Sequence, residues 1–349
     1  MVTGGAGYVG SHATQRMLAK GHDVVVIDNL ARGHKAAIDR IHGALEGEAR
    51  KRLTFVQGDV GDRSAVAATL RSNGVEAVMH FAASAYVGES VTDPLAYHAN
   101  NTGAAVELLR ACHDAGVGRF IFSSTCATYG EPERVPIVET TPQAPVNPYG
   151  WSKLHFERAL SDYAEACRIE GRDFAHAALR YFNVAGSDRS TVIGEWHQPE
   201  THLIPIVLEV AMGKREHVTI FGTDYATSDG TCVRDYIHVE DLVDAHEVVL
   251  RSLEAGDARR YNLGIGRGYS VREIIDTARA VTGREIRVVE GTRRAGDPPA
   301  LVANASKIAE EIGWKAQITD LGAIIESAWK WYQANPDGYD RDPAASSAG

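Results

Sequence analysis

Four short, unbroken apolar runs limit what this chain can become: Val24-Val25-Val26-Ile27, Leu53-Thr54-Phe55-Val56, Ala77-Val78-Met79-His80-Phe81 and Phe120-Ile121-Phe122. A strand that is apolar on both faces has to be covered on both faces, which is the situation of a parallel sheet between two helical layers. Helical patterns lie between the runs. Ser11 to Lys20 carries Met17 and Leu18 ahead of Gly21, and Asn101 to Ala115 carries Val106, Leu108 and Leu109 ahead of Gly116, a natural helix stop. Strand and helix alternating at this spacing predict an α/β chain with a doubly wound parallel sheet.

The alternation breaks between Glu131 and Pro148, where five of the 12 prolines fall. Pro148 disfavours helical geometry at Asn147, so a helix is expected to start at about Tyr149 and run to near Ile169, using Leu154, Phe156 and Leu160 as contacts. Ala177 to Phe182 reads as another central strand. Beyond Asn183 the pattern loosens into a polar loop from Ser187 to Pro199, a helix near Leu203 to Met212 and a turn-rich stretch from Gly222 to Gly230. The expected division is a dinucleotide-binding domain over 1–182 and a smaller substrate domain over 183–340, interleaved with it. Val233 to Val239 and Tyr261 to Gly264 are expected to return to the main body. Ile324 to Tyr332 reads as a terminal helix, and Asp337 to Gly349, including the tail 341–349, as a frayed end. Only Met1 and Val2 precede Thr3-Gly4-Gly5, so a short first strand is expected, and residues upstream of Met1 or a late start codon.

A net charge of -10 argues against a general nucleic-acid or anionic-membrane surface. An anionic ligand then has to meet specific cations. Cys112, Cys126, Cys167 and Cys232 are scattered without a C-x-x-C, which reads as reduced thiols in a cytoplasmic chain. The 14 histidines include no H-E-x-x-H, so no metal site is expected, and His12, His80 and His238 are read as structural. No apolar run reaches transmembrane length, and no signal peptide or membrane partner is expected.

Gly4-Gly5-Ala6-Gly7-Tyr8-Val9-Gly10 sits where the first strand should pass into the first helix. Glycines there let backbone amides approach a pyrophosphate at a helix N-terminus. Asp28 ends the second apolar run, where a carboxylate accepts hydrogen bonds from a ribose diol and repels a 2'-phosphate. The combination predicts a Rossmann-type dinucleotide site with NAD preferred over NADP. Asp59, after the third run, is read either as an adenine contact or as an Asx-turn carboxylate. Ser123-Ser124-Thr125 emerges at the carboxyl end of a central strand, on the ligand side. Tyr149 and Lys153, four apart on one helix, set a phenol beside an ammonium that favours its phenolate. A surface Tyr/Lys pair has the same spacing, but the nucleotide turn and a strand-end hydroxyl favour a proton-transfer site.

Together these residues resemble the extended short-chain dehydrogenase/reductases, and among them the NAD-dependent UDP-sugar 4-epimerases of the UDP-glucose/UDP-galactose type. The resemblance extends over nearly the whole chain. Besides the glycine turn it is carried by Asp28-Asn29-Leu30, Val87-Gly88-Glu89-Ser90, Ser123-Ser124-Thr125, Tyr129-Gly130, Tyr149 with Lys153, Arg180-Tyr181-Phe182-Asn183, Val233 to His238 and Arg293-Arg294-Ala295-Gly296-Asp297. It implies that Tyr149 is the acid/base, that Lys153 lowers its pKa and holds the nicotinamide ribose, and that Thr125 bonds the reacting sugar hydroxyl. Further cofactor contacts implied are Asn29, Asp59, Val60, Phe81, Ala82, Ala83, Asn100, Ser123 and Tyr181, beside Gly4, Gly7, Tyr8, Val9, Gly10 and Asp28. The UDP-sugar falls to Asn183, His202, Leu203, Phe221, Arg234, Arg294 and Asp297, with His202 where some members have Asn. Ala85 replaces a cofactor-contacting Lys of some members, and Leu301 stands where hexose-specific members often have Tyr. The 4,6-dehydratases share the scaffold, but they follow the Thr with an acidic pair where this chain has Cys126-Ala127. Members acting on UDP-xylose and UDP-arabinose match equally around Thr125 and Val233, so a pentose substrate stays open. A non-catalytic NAD-binding regulator is the remaining alternative, and it has no need of Thr125, Tyr149 and Lys153 together. The resemblance also implies a homodimer pairing the helices around 101–115 and 149–169.

Overall fold

The computed structural model describes residues 1–294 and 296–340; Ala295 of the last motif and the expected tail 341–349 lie outside the described residues. Thirteen strands run in chain order as β1 (Val2–Thr3), β2 (Val24–Asp28), β3 (Leu53–Gln57), β4 (Ala77–His80), β5 (Arg119–Thr125), β6 (Ala175–Tyr181), β7 (Asn183–Ala185), β8 (Val218–Phe221), β9 (Val233–His238), β10 (Ala258–Leu263), β11 (Gly268–Ser270), β12 (Val288–Gly291) and β13 (Ala300–Leu301). The α-helices are α1 (Tyr8–Ala19), α2 (Lys35–Ala44), α3 (Arg63–Ser72), α4 (Val87–Thr92), α5 (Pro94–Tyr97), α6 (Ala105–Ala115), α7 (Pro148–Glu170), α8 (Leu203–Ala211), α9 (Val239–Ser252), α10 (Val271–Thr282), α11 (Ser306–Ile312) and α12 (Leu321–Ala334).

Seven parallel strands form the main sheet in the order β3-β2-β1-β4-β5-β6-β10. The apolar runs of β2, β4 and β5 are buried on both sides, whereas Leu53 to Val56 of β3, at the sheet edge, are only partly covered. Val24, Val26, Met79 and Ile121 join one core with Leu18 of α1 and Leu242 of α9. Ile27, Val78, Phe120 and Phe122 join the other with Leu70 of α3, Leu108 of α6 and Phe156 of α7. Each such side chain fully removed from water contributes about 1.5–3 kcal/mol before the entropy of ordering it is set against it. The chain order reverses between β1 and β4, and a cleft opens there above the carboxyl ends of the strands, where open α/β sheets take ligands. β1 is short, as anticipated, and is held between Val26 and Met79.

The carboxyl half does not build a separate core. Ile204 and Leu208 of α8, Ile274 of α10 and Ile324 and Trp331 of α12 extend the same cluster that covers the first face of the main sheet. β9 departs from expectation: it lies in a smaller sheet, paired with β7, β11 and β13, while β10 alone takes the edge of the main sheet. Two further expectations are corrected. Asn101 to Ala104, read as the start of a regular helix, belong to a π-helical turn, His98–Ala104, that leads into α6. Asp337 to Asp340 is docked rather than frayed, because Tyr339 stacks on His34 with ring centroids 5.0 Å apart and its hydroxyl donates to Gly194 O at 3.1 Å.

Candidate active site

The first turn of α7 is fixed by its sequence. Asn147 accepts from Gly150 N at 2.9 Å, and Pro148 occupies the first turn, where its missing N–H costs nothing. That places Tyr149 and Lys153 one turn apart at the floor of the cleft. Lys153 is buried and donates to Ser123 O at 3.0 Å, with Nζ 5.0 Å from the centre of the Phe122 ring. Burial drives its pKa down to about 7, against a smaller opposing pull from Glu157. The Tyr149 phenol is pushed well above its ordinary value, first by burial and then by Tyr181, while a hydrogen bond from Thr125 works the other way. Both groups are pressed toward their neutral forms.

β5 delivers three hydroxyls with three different partners. Ser123 bonds the Tyr181 phenol, and Ser124 bonds the Glu157 carboxylate. Thr125 Oγ1 accepts from Ala127 N at 3.1 Å, which leaves its own proton free to be donated. Ser123 sits behind the wall of the cleft, whereas Thr125, Tyr149, Lys153 and Tyr181 line it. Behind them a buried Arg180–Glu157 pair, bidentate at 3.0 and 2.6 Å, ties β6 to α7, and Arg180 also donates to the Tyr129 phenol at 2.9 Å. Glu157 and Arg180 were not singled out from sequence, although Arg180 lay in a quoted motif.

The far end of the cleft fits a dinucleotide. A Cβ at Gly10 would fall 2.1 Å from Gly4 O, and one at Gly4, where φ is +66°, would fall 2.6 Å from Ala82 N. The turn can close only without side chains. Asp28 accepts from Ala6 N at 2.9 Å and from Leu30 N at 2.8 Å, which fixes its carboxylate at the cleft edge although burial raises its pKa. Asp59 caps a turn, accepting from Gly61 N at 2.8 Å, and also lines the cleft. Asn29 donates to Asp59 at 2.9 Å. Gly7, Tyr8, Val9, Val60, Phe81, Ala82, Ala83 and Asn100 also line this cleft, whose volume is about 560 Å³. Asn100 projects from the π-helical turn, and Tyr8 donates to Gly186 O at 2.5 Å.

At the other end the cleft is lined by Asn183, His202, Leu203, Arg234, Asp297 and Leu301. Arg234 is ion-paired with Asp297 and also donates to Val233 O at 2.8 Å. Phe221 and Arg294 are not brought into the lining; the Arg294 guanidinium lies over the Phe221 ring at 3.9 Å beside it. Two lining residues missed in the sequence, Glu195 and His197, form a cluster with Glu200 and His202. Burial opposes charge on both histidines, yet the two carboxylates carry His197 up to about 9 and His202 to about 10. The signal was the repeat E-x-H-x-x-E-x-H, which matches none of the familiar metal spacings.

A model of the NAD dependent epimerase/dehydratase family matches residues 1–264. The chain belongs to this family. Like its relatives, this epimerase/dehydratase member is matched over almost its full length: it is 46% identical over 341 residues to a UDP-glucose 4-epimerase of Lacticaseibacillus casei, covering 97% of this chain and 98% of the relative. The UDP-glucose 4-epimerase of Bifidobacterium longum, solved with NAD+ and UDP, superposes with a TM-score of 0.90 at 37% identity, covering 97% of this chain and 98% of that one. The UDP-glucose-4-epimerase of Stenotrophomonas maltophila, solved with NAD and formylated UDP-arabinopyranose, superposes with a TM-score of 0.89 at 40% identity, covering 96% and 98%.

Proposed function

We propose that this protein is an NAD-dependent UDP-sugar 4-epimerase that interconverts UDP-glucose and UDP-galactose through a 4-keto sugar, with its dinucleotide retained between turnovers. One observation carries the reading: Thr125, Tyr149 and Lys153 meet at one end of a cleft whose other end is the Asp28-braced glycine turn, and no acid follows Thr125. NAD held there would supply reversible hydride acceptance and a positively charged ring. Tyr149 takes the proton from the sugar 4-hydroxyl and returns it to the 4-oxygen after the sugar has turned over. Thr125 donates to that oxygen with the proton its Ala127 contact leaves free. Lys153, steadied on Ser123 O, bonds the nicotinamide ribose and supplies the charge that opposes burial of a phenolate. Arg234 receives the diphosphate at the cleft wall, so that binding is separated from the orientation of the sugar ring. Nuclear magnetic resonance of the purified protein with UDP-glucose and no added NAD tests this. UDP-galactose should accumulate to equilibrium, and a requirement for stoichiometric NAD would sink the proposal.

A pentose substrate is the second reading. Leu301 is buried in the cleft wall where hexose-specific relatives often have Tyr, and the S. maltophila relative holds a UDP-arabinopyranose derivative. A missing hydroxymethyl group changes pocket affinity by only ~1–3 kcal/mol, so parallel rates on UDP-glucose and UDP-xylose decide it. The four buried, free cysteines agree with a cytoplasmic chain. A shallow groove lined by Val106, Leu109, Ala159 and Tyr163 between α6 and α7 supports a homodimer.

A further inference from the structure

Glu195, His197, Glu200 and His202 stand on the loop that leads from β7 into α8, and each turns one ligand-type atom toward a common centre. Those four atoms, Glu195 Oε1, His197 Nδ1, a Glu200 carboxylate oxygen and His202 Nδ1, all lie within 4.8 Å of one another. Glu195 Oε1, His197 Nδ1, Glu200 Oε2 and His202 Nδ1 are buried and make no hydrogen bond of good geometry; the one close approach, His202 Nδ1 to Glu195 Oε1 at 2.7 Å, is an ion-pair contact. The two carboxylate side chains are only 4% and 2% exposed.

The separations decide between two explanations. If the cluster were a set of imidazolium–carboxylate hydrogen bonds, its N···O distances should fall near 2.7–3.2 Å. Of three such edges among these atoms, two do not: His197 Nδ1 is 3.5 Å from Glu195 Oε1 and 3.5 Å from Glu200 Oε2. Ligands at about 2.0–2.1 Å around a tetrahedral zinc ion are about 3.3–3.4 Å apart, which is close to these two edges. The third edge, His202 Nδ1 to Glu195 Oε1, is 2.7 Å and has to open by a few tenths of an ångström. The Glu200 side chain is already aimed: its Oε1 accepts from Thr201 N at 2.7 Å and from His202 N at 2.8 Å, which presents Oε2 to the centre. Outer bonds of this kind orient carboxylate ligands in metal sites. The His197 ring is held edge-on by Tyr8 and Tyr86, with centroids at 6.3 and 6.1 Å.

We infer that Glu195, His197, Glu200 and His202 form a divalent transition-metal site, best suited to zinc, that pins the β7–α8 loop against the cleft. Two imidazoles and two carboxylates suit zinc, whereas calcium and magnesium favour all-oxygen shells. Four protein ligands make a closed site, which is the structural kind. Its place follows from its ligands, since Glu195, His197 and His202 line the cleft just before Leu203 opens α8.

The test reads metal directly, without turnover, so it stands or falls apart from the assignment of the reaction. Tag-free, full-length protein is stripped with a chelator, dialysed, and titrated with zinc sulfate and separately with cobalt chloride. One zinc should bind per chain, the melting temperature should rise with zinc, and cobalt should give the intense visible absorption of a tetrahedral site that zinc then displaces. His197→Ala and the near-isosteric Glu200→Gln should each weaken zinc binding by more than about 100-fold. Substoichiometric zinc, the pale spectrum of six-coordinate cobalt, or equal binding by wild type and a folded Glu200→Gln variant would overturn the inference.

Discussion

Tyr149 and Lys153 feel the same burial with opposite charge consequences, since desolvation raises a phenol and lowers an amine. On the proposed function, Tyr149→Phe removes the acid/base hydroxyl while keeping the ring. Turnover should fall by at least about 10³-fold, with the dinucleotide still co-eluting from gel filtration; the variant's initial rate and its absorbance after desalting check both. Lys153 makes a second prediction through stability. Its pKa drops from 10.5 to about 7 on folding, so between these values the unfolded chain holds more protons and stability rises with pH. The cost of burying its charge is full below pH 7 and is relieved on the way to 10.5. In protein stripped of dinucleotide, Lys153→Met should be more stable than wild type near pH 6, by about 2–4 kcal/mol, and the gap should narrow as pH rises to 9. Urea denaturation at the two pH values measures it, and a gap that widens with pH contradicts the assignment.

The elements that hold this pair are clamped by a charge pair rather than by packing alone. Arg180 on β6 and Glu157 on α7 are almost fully buried, and together they hold Arg180 protonated and Glu157 below its usual range despite desolvation. Arg180→Met leaves the Glu157 carboxylate buried and unpaired, and should cost about 3–5 kcal/mol by chemical denaturation. Adding Glu157→Leu should recover most of that loss, which a purely steric account of Arg180 does not predict. The element scale is also where the sequence was most and least informative. Val24 to Ile27 and Phe120 to Phe122 declared their strands because two-sided burial demands unbroken apolar runs. Asn147-Pro148 declared the start of α7 for an equally local reason. The small sheet was not legible, because β7, β11 and β13 are two or three residues long and pair with β9 across gaps in the chain. The π-helical turn under Asn100 was hidden as well, since a shift in backbone hydrogen bonding leaves no apolar period to read. Asp337 to Asp340 was misread from its polarity, because one aromatic, Tyr339, docks the segment. Thr125, Tyr149 and Lys153 were legible by spacing and context; the direction of their pKa shifts was not, since burial depth is a property of the assembled fold.

Across the whole molecule, the two ends of α7 face different features. Its first turn carries Tyr149, and its later turns supply Ala159 and Tyr163 to the groove shared with α6. If that groove is the homodimer seam, sedimentation at micromolar concentration should give twice the 37.7 kDa chain mass, and Val106→Glu should shift the protein to monomer. An unchanged sedimentation coefficient in that variant would place the seam elsewhere. The Arg234–Asp297 pair has a different bearing on how the cleft fills. A guanidinium already engaged by a carboxylate cannot greet a diphosphate as a bare charge; the arriving anion displaces a resident one. Added salt weakens the incumbent and the newcomer alike, so the affinity for a nucleoside diphosphate should decline less steeply with ionic strength than an unpaired arginine would dictate. On the proposed function, the displaced Asp297 carboxylate would become a free acceptor at the cleft wall, open to a ribose hydroxyl. Capture of the phosphate and recognition of the nucleoside would then be one exchange.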